Sequence, residues 1–211
     1  MKTSKGLAFI ELLVALVLFG MVVAGIYRLF IAQNTAYVVQ DQVVEVQQNI
    51  RSAMEILLRD IRMAGFDDDN AASAITISNP IVYPVSGNSI TVNYEYYDKG
   101  ALQYQRHTVA YWRDAPSSRL IRQLTVNNVA GPQETLLENV GALNFTYGID
   151  TDNDGRVNNW VSAAAVGTST VVAIRVRLTG GPEPINPDVQ KAVSPRTLES
   201  IVTLRNLCLG K

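Results

Sequence analysis

Hydrophobic and polar positions follow three patterns along this chain. From Leu7 to Tyr27, LAFIELLVALVLFGMVVAGIY, every position is apolar or glycine except Glu11. As a helix that run spans roughly 32 Å, about one bilayer core. From Val39 onward the apolar residues recur at Val43, Val46, Ile50, Met54, Leu57, Ile61 and Ala64, three or four positions apart. That is the stripe of a helix half buried on a domain, with Gln47, Glu55, Arg59 and Asp60 among the polar residues between. No proline precedes Pro80, and Gly65 stands where a C-cap belongs. One helix from Leu7 to about Ala64 is predicted, ~87 Å long if unbroken. Gly20 and Gly25 each weaken it by ~1 kcal/mol relative to alanine, and both suit close packing against neighbouring membrane helices.

From Ser73 the pattern becomes β-like, in the segments AITIS, PIVYPV, SITVNYEYYD, LQYQRHTVAYWRD, LIRQLTV, VGALNFTYGID, VVAIRVRLTG and TLESIVTLRNL. Alternation is clearest over Ser89 to Tyr97, Ala173 to Leu178 and Ile201 to Leu204. Gly87-Asn88, Lys99-Gly100, Pro116, Gly131-Pro132 and the Gly180 to Pro187 stretch supply the breaks. An α+β fold follows: a long N-terminal helix, membrane-spanning in its first half, packed through its second half on an antiparallel β-sheet domain.

Charge and composition then narrow the chemistry. The 211 residues carry 18 Lys+Arg against 19 Asp+Glu, with no long basic run, which sets nucleic acid aside as a partner. One cysteine, Cys208, and one histidine, His107, leave little for thiolate metal sites or a catalytic triad. Lys2 and Lys5 precede the apolar run and Arg28 follows it, so the N-terminus is expected in the cytoplasm and the domain outside it. The run exceeds the ~7–15 apolar residues of an ordinary secretory signal. Glu11 also lies inside it, where an unpaired acid costs on the order of 2.5–3.5 kcal/mol, so it calls for a partner or a function.

The stretch KGLAFIELLVALVLFGMV resembles the class III signal of type IV prepilins: a short basic leader ending in glycine, then an apolar residue, and a glutamate five positions after the glycine. Those places are Gly6, Leu7 and Glu11, with Leu7 where the family often has phenylalanine. The stretch QNIRSAMEILLRDIRMAGF and the ending RTLESIVTLRNL further resemble PilW-type minor pilins and the related J-type minor pseudopilins of type II secretion. The resemblance implies a pilin-like fold. It also implies a leader at residues 1–6, cut by a membrane prepilin peptidase between Gly6 and Leu7, and N-methylation of the new amine. A helix over residues 7–65 would span the membrane at about 7–27, followed by a periplasmic or extracellular domain over residues 66–211. Losing Lys2 and Lys5 takes the formal charge from −1 to −3.

Leu7 and Glu11 lie four apart, hence on one side of a helix. The resemblance implies that the Glu11 carboxylate pairs with the N-terminal ammonium of a neighbouring subunit and so sets axial register. The partners it implies are other major and minor pilin subunits, the prepilin peptidase, an inner-membrane assembly platform and membrane lipid. The function it implies is that of a minor pilin, not an enzyme, that incorporates into or primes a filament. A secretion-system tip pseudopilin and a membrane-anchored periplasmic binding module or adhesin are the competing readings.

One local motif stands apart. Asp150, Asp152, Asp154 and Asn158, with glycine at Gly155, occupy positions 1, 3, 5, 9 and 6 of an EF-hand-like loop, and the Arg156 carbonyl occupies position 7. Val161 stands at position 12, where a bidentate glutamate would complete an EF-hand. Two readings fit: a bent loop holding a structural Ca²⁺, or an Asx-rich hairpin turn. Asp67-Asp68-Asp69-Asn70 reads as a solvated loop, His107 as a structural or surface residue, and the Tyr94, Tyr96, Tyr97 cluster as sheet packing. Cys208 reads as a small buried residue, with an intermolecular bridge as the alternative in an oxidising compartment.

Overall fold

The computed structural model describes residues 4–68, 73–184 and 191–208, and of residues 4–8 and 208 the backbone alone. Asp69, Asn70 and the leader residues Met1 to Thr3 lie outside the described residues, as does the Cys208 side chain. One α-helix, α1 (Ser4–Arg62), is followed by nine strands: β1 (Ile81–Val82), β2 (Ser89–Asp98), β3 (Gln103–Asp114), β4 (Arg119–Val126), β5 (Val129–Leu137), β6 (Val140–Asp150), β7 (Asn159–Val161), β8 (Thr170–Gly180) and β9 (Arg196–Thr203). A 3-10 turn at Ala163–Ala165 and a short helix, α2 (Arg205–Cys208), complete the described elements.

The helix is continuous through Gly20 and Gly25, and 59 residues at 1.5 Å each make it about 88 Å long. Its two halves differ in what they touch. From Phe9 to Val38 every residue is exposed, including Phe19 and Met21. In the second half the predicted stripe is buried from Val46 onward, and Leu57, Ile61 and Ala64 have no exposed surface. The last turn tightens: Met63 N–H donates to the Asp60 carbonyl and Ala64 N–H to that of Ile61. Gly65 then takes φ +73°, the left-handed conformation that ends helices. A Cβ there would also sit 2.6 Å from Leu207 Cδ2.

The β domain divides into two antiparallel sheets rather than one. Sheet A runs β1-β2-β3-β4-β5 and sheet B runs β7-β6-β8-β9. The alternating residues Ile90, Val92 and Tyr94 of β2 pair opposite Tyr111, Val109 and His107 of β3 and turn toward the helix. On sheet B, Leu143, Phe145 and Tyr147 pair with Leu178, Val176 and Ile174 to form the other inner face. The second half of α1 packs against β9, β8 and β5, and tightly at Gly180, where a Cβ would lie 3.0 Å from Ile50 Cγ1. Both inner faces and the helix stripe form one continuous core.

Several predicted segments change on folding. AITIS forms no strand: the β2 edge is already occupied, with Gly65 N–H donating to the Asn93 carbonyl and Glu95 N–H to that of Phe66. Residues 73–77 instead lie near the outward row of β2 and β3, tied by Ser73 to Glu95 and by Arg106 to the Thr76 carbonyl. PIVYPV shrinks to the two-residue β1 between Pro80 and Pro84, neither of which can donate to a ladder. Conversely β5 forms across Gly131-Pro132, which reads in the sequence as a break. It is an edge strand with its register shift opposite Gln123 to Thr125, so Pro132 sits where a missing N–H is tolerated. The ending TLESIVTLRNL gives β9 and then the helical turn α2.

Candidate functional site

The predicted assembly site lies at the free end of α1. The helical backbone includes Gly6, Leu7 and Glu11, so positions 7 and 11 fall one turn apart on one side. Glu11 is exposed among exposed Phe9, Ile10, Leu12 and Leu13. Among the described side chains it has no ion-pair partner, so within this chain its carboxylate stands alone on an apolar rod. The helix around it has mean hydropathy 2.7 over its most apolar window, with none of that window buried. This is a segment whose partner lies outside the folded chain. Lipid or another apolar helix suits such a surface.

The acidic loop lies at the opposite end of the molecule, beyond the end of β6 where Asp150 pairs with Thr170. Carboxylate oxygens of Asp150, Asp152 and Asp154 lie within 4.8 Å of one another. The loop's own backbone serves them. Asp150 accepts from Asp152 N–H at 3.1 Å, Asn153 N–H at 2.7 Å and Gly155 N–H at 2.8 Å, and Asp154 accepts from Arg156 N–H at 2.8 Å. Burial acts to raise the Asp150 carboxyl, but the Gly155 and Asn153 amides outweigh it and hold the group below its ordinary value. Asn158 acts as a staple: its Oδ1 accepts from Thr151 N–H at 2.7 Å, and its Nδ2 donates to Asp152 at 3.2 Å. Val161 is in β7 opposite Tyr147, so position 12 supplies no oxygen side chain. Free lone pairs on three converging carboxylates remain a hard-oxygen donor set of the kind Ca²⁺ takes. The geometry brings Asp150, Asp152 and Asp154 together, and holds Asn158 and Arg156 beside them.

A third constellation escaped the sequence. Asp60 is 4% exposed, on the buried side of α1. Its Oδ2 accepts from Tyr111 Oη at 2.6 Å and from Arg122 Nε at 2.9 Å, while Arg122 Nη1 reaches Glu134 at 2.9 Å. One carboxylate thus ties the helix to β3 and β4. Burial opposes the Arg122 charge, yet the Asp60 hydrogen bond and charge hold the guanidinium above its ordinary value. Burial and then Asp60 push Tyr94 up to about 12. The signal was the spacing: Asp60 is three after Leu57 and four before Ala64, on the stripe rather than beside it. Glu95, 1% exposed, is the second such residue, accepting from Asp68 N–H at 2.8 Å and from Ser73. Asp68 in turn accepts from Tyr104 Oη at 2.9 Å, so the segment read as a solvated acidic loop is partly a fastening. His107 is half-buried, its ring 5.4 Å from Tyr94 and 4.8 Å from Tyr96.

Two families match this chain. The prokaryotic N-terminal methylation motif matches residues 1–27, and type IV pilus-assembly protein W, PilW, matches residues 106–196, from β3 to the start of β9. No curated protein and no solved structure gives a significant match. With an exposed apolar helix leading into antiparallel sheets, these matches make the chain a type IV prepilin-like protein, carried on a membrane anchor. Within that class the match over residues 106–196 is to PilW, the type IV pilus-assembly protein W, and the matches point to a structural rather than an enzymatic role.

Proposed function

We propose that this chain is a minor type IV pilin that enters a pilus filament, or primes its assembly, by docking its N-terminal helix among those of other subunits. The observation that carries this reading is the lone Glu11 near the start of an apolar rod that is otherwise exposed all round. An acid so placed is tolerated only with a partner, and a neighbouring N-terminal ammonium provides one. The prepilin peptidase cuts between Gly6 and Leu7 and methylates the new amine, which keeps its charge. Before assembly the protein is a single-pass inner-membrane precursor with its N-terminus cytoplasmic and its domain periplasmic, and an assembly platform in that membrane receives it.

The mass and N-terminal sequence of the membrane-extracted protein, with and without prepilin peptidase, test this. An N-methyl-Leu7 start that depends on the peptidase is expected; an intact Met1 start beside active peptidase would return the protein to the anchored-module class. Glu11→Val should leave membrane insertion intact and deplete the protein from filaments. Unchanged filament content would remove the register role.

The Asp150, Asp152, Asp154 loop is proposed to take Ca²⁺ as a structural ion, supported by the convergence of three carboxylates. Bound there, the ion would offset their mutual repulsion and stiffen the loop between β6 and β7. Chelation should lower the Tm of the domain, and Asp152→Ala should abolish that sensitivity. A Tm indifferent to chelator would leave an Asx-rich turn.

A further inference from the structure

Among the described residues the two sheets end in four edge strands, β1 and β5 on sheet A and β7 and β9 on sheet B. Three of these edges are blunted. β1 is two residues long between Pro80 and Pro84, β7 is three residues long, and β5 carries Pro132 and two register shifts against β4. Short strands, proline and broken register all discourage further pairing. β9 has none of these: it is eight residues long, lacks proline, and keeps one register with β8 from Ala173↔Thr203 to Gly180↔Arg196. Just beyond it, Leu204 N–H donates to the Val172 carbonyl at 2.9 Å, so the even residues of β9 are the ones that bond to β8. The odd residues, Thr197, Glu199, Ile201 and Thr203, turn their amides and carbonyls to the free edge, and all four are exposed. At the Thr203 end this edge opens into a notch of about 580 Å³ lined by Arg62, Phe66, Ile201 and Arg205. Among the described residues neither arginine has an ion-pair partner.

We infer that the free edge of β9 takes an extended segment of a different subunit as an added strand of sheet B, with an acidic residue of that segment entering the notch between Arg62 and Arg205. This rests on the filament reading and names the mode of contact within it. A row of unpaired main-chain donors and acceptors is met by another extended backbone. An apolar side chain opposite exposed Ile201 adds cross-strand packing, and the two guanidiniums set the sign of the charge at one end. A second copy of this chain does not supply that charge. β9 runs alongside α1 in the same direction, with Arg196 opposite Gly180 near Ile50, and Thr203 near Arg62. Two β9 edges paired antiparallel would bring Arg196 of one copy toward Arg205 of the other, and would turn the α1 helices antiparallel, against their common orientation in one membrane. Paired parallel and in register, they would set Arg62 and Arg205 beside their own counterparts. Each β9 edge holds one segment, so the contact ends with a single partner, as suits a minor subunit.

The test uses the full chain in cells that assemble the pilus, with a photo-reactive phenylalanine analogue at Thr197 or at Thr203, and maps each crosslinked residue by mass spectrometry. Both positions should reach one segment of another pilin subunit, at sites as far apart in its sequence as Thr197 and Thr203 are in β9, with an aspartate or glutamate at the Thr203 end. Ile201→Pro removes an outward N–H and no bond to β8, so it should cut the yield about tenfold and leave the Tm of the chain nearly unchanged. Ile201→Thr keeps that N–H and should keep most of the yield. Arg62→Glu with Arg205→Glu, both exposed, should also cut the yield about tenfold, and this reads the same contact without touching the strand if the proline variant unfolds. Crosslinks to helices or to a second copy of this chain, sites without that spacing, or full yield in a folded Ile201→Pro or in the arginine reversal would each overturn the proposal. The N-terminal mass from the same sample keeps the two readings apart. A Leu7 start without crosslinks defeats the contact alone, whereas a Met1 start despite active peptidase defeats the filament reading.

Discussion

One helix carries two different kinds of surface, and the contrast shows what burial means for each. From Phe9 to Tyr27 side chains of every orientation but Glu11 are apolar or small, and they are exposed; from Val46 to Ala64 one apolar stripe is buried. Nothing in backbone geometry distinguishes the halves, since the helix runs unbroken from Ser4 to Arg62. The difference lies in the solvent each half is written for. A helix that is apolar all round suits lipid or other helices, whereas a one-sided stripe suits a single folded domain. The first half is therefore left to meet partners outside the folded domain, and the second holds the domain together.

The largest effect should separate the halves directly. Leu57 is 0% exposed in the core shared by both sheets, so Leu57→Ala should cost ~2–5 kcal/mol, read as a fall in the denaturant midpoint of a truncated chain beginning at Gln33. Leu18→Ala, at a residue 57% exposed, should leave the unfolding of the full-length chain unchanged in detergent. Comparable losses at both positions would mean that the first half also packs on the domain.

A second prediction sharpens what fastens the docked half. Asp60→Ala leaves Tyr111 Oη and the Arg122 guanidinium, 13% exposed, without their shared acceptor. Breaking such a pair costs on the order of 3 kcal/mol, toward the lower side here because Glu134 still faces Arg122. Replacing both partners, Asp60→Leu with Arg122→Met, should recover the part of that loss due to the unpaired guanidinium, because no buried charge is then left unpaired, while the Tyr111 hydroxyl still lacks an acceptor. If Asp60→Ala is silent, the network is an accessory of the packing rather than a fastening.

How much of this was legible follows from the same contrast. The span, Glu11 and the stripe were readable because they rest on periodicity within one element, and β2, β3, β4, β6 and β8 appeared nearly where alternation placed them. The acidic loop was legible as a cluster because its residues are near in sequence. Asp60 was misread as a surface residue because its partners, Tyr111 and Arg122, are 51 and 62 positions away, and only the fold shows that they converge. Glu95 was hidden for a similar reason: it is on the outward row of β2, covered by a segment that reads as a strand but folds over the sheet. The full width of sheet A depends on β5, whose Gly131-Pro132 looks like a break until the edge position of the strand is known.

The smallest effect concerns pH, and it belongs to the docked half alone. His107 lies on sheet A with Tyr94 and Tyr96 against its ring and Gln105 at 3.4 Å. Burial, and then the Arg122 charge, hold its pKa below 6.5, while Asp98 and Asp60 oppose the shift without reversing it. The unfolded chain therefore binds a proton more readily than the folded one, so stability is full above about pH 6.5 and declines as pH falls toward the folded value. The loss should be small, because the ring is only half-buried and its neighbours are partly compensating. Measured as Tm, the fall on acidification should be shallower in His107→Gln. It should be the same in the full-length chain and in a chain beginning at Gln33, since no titrating group of the first half touches this network. A steeper fall in the full-length chain would show the membrane half coupled to the sheet, and would undo the separation of the two halves.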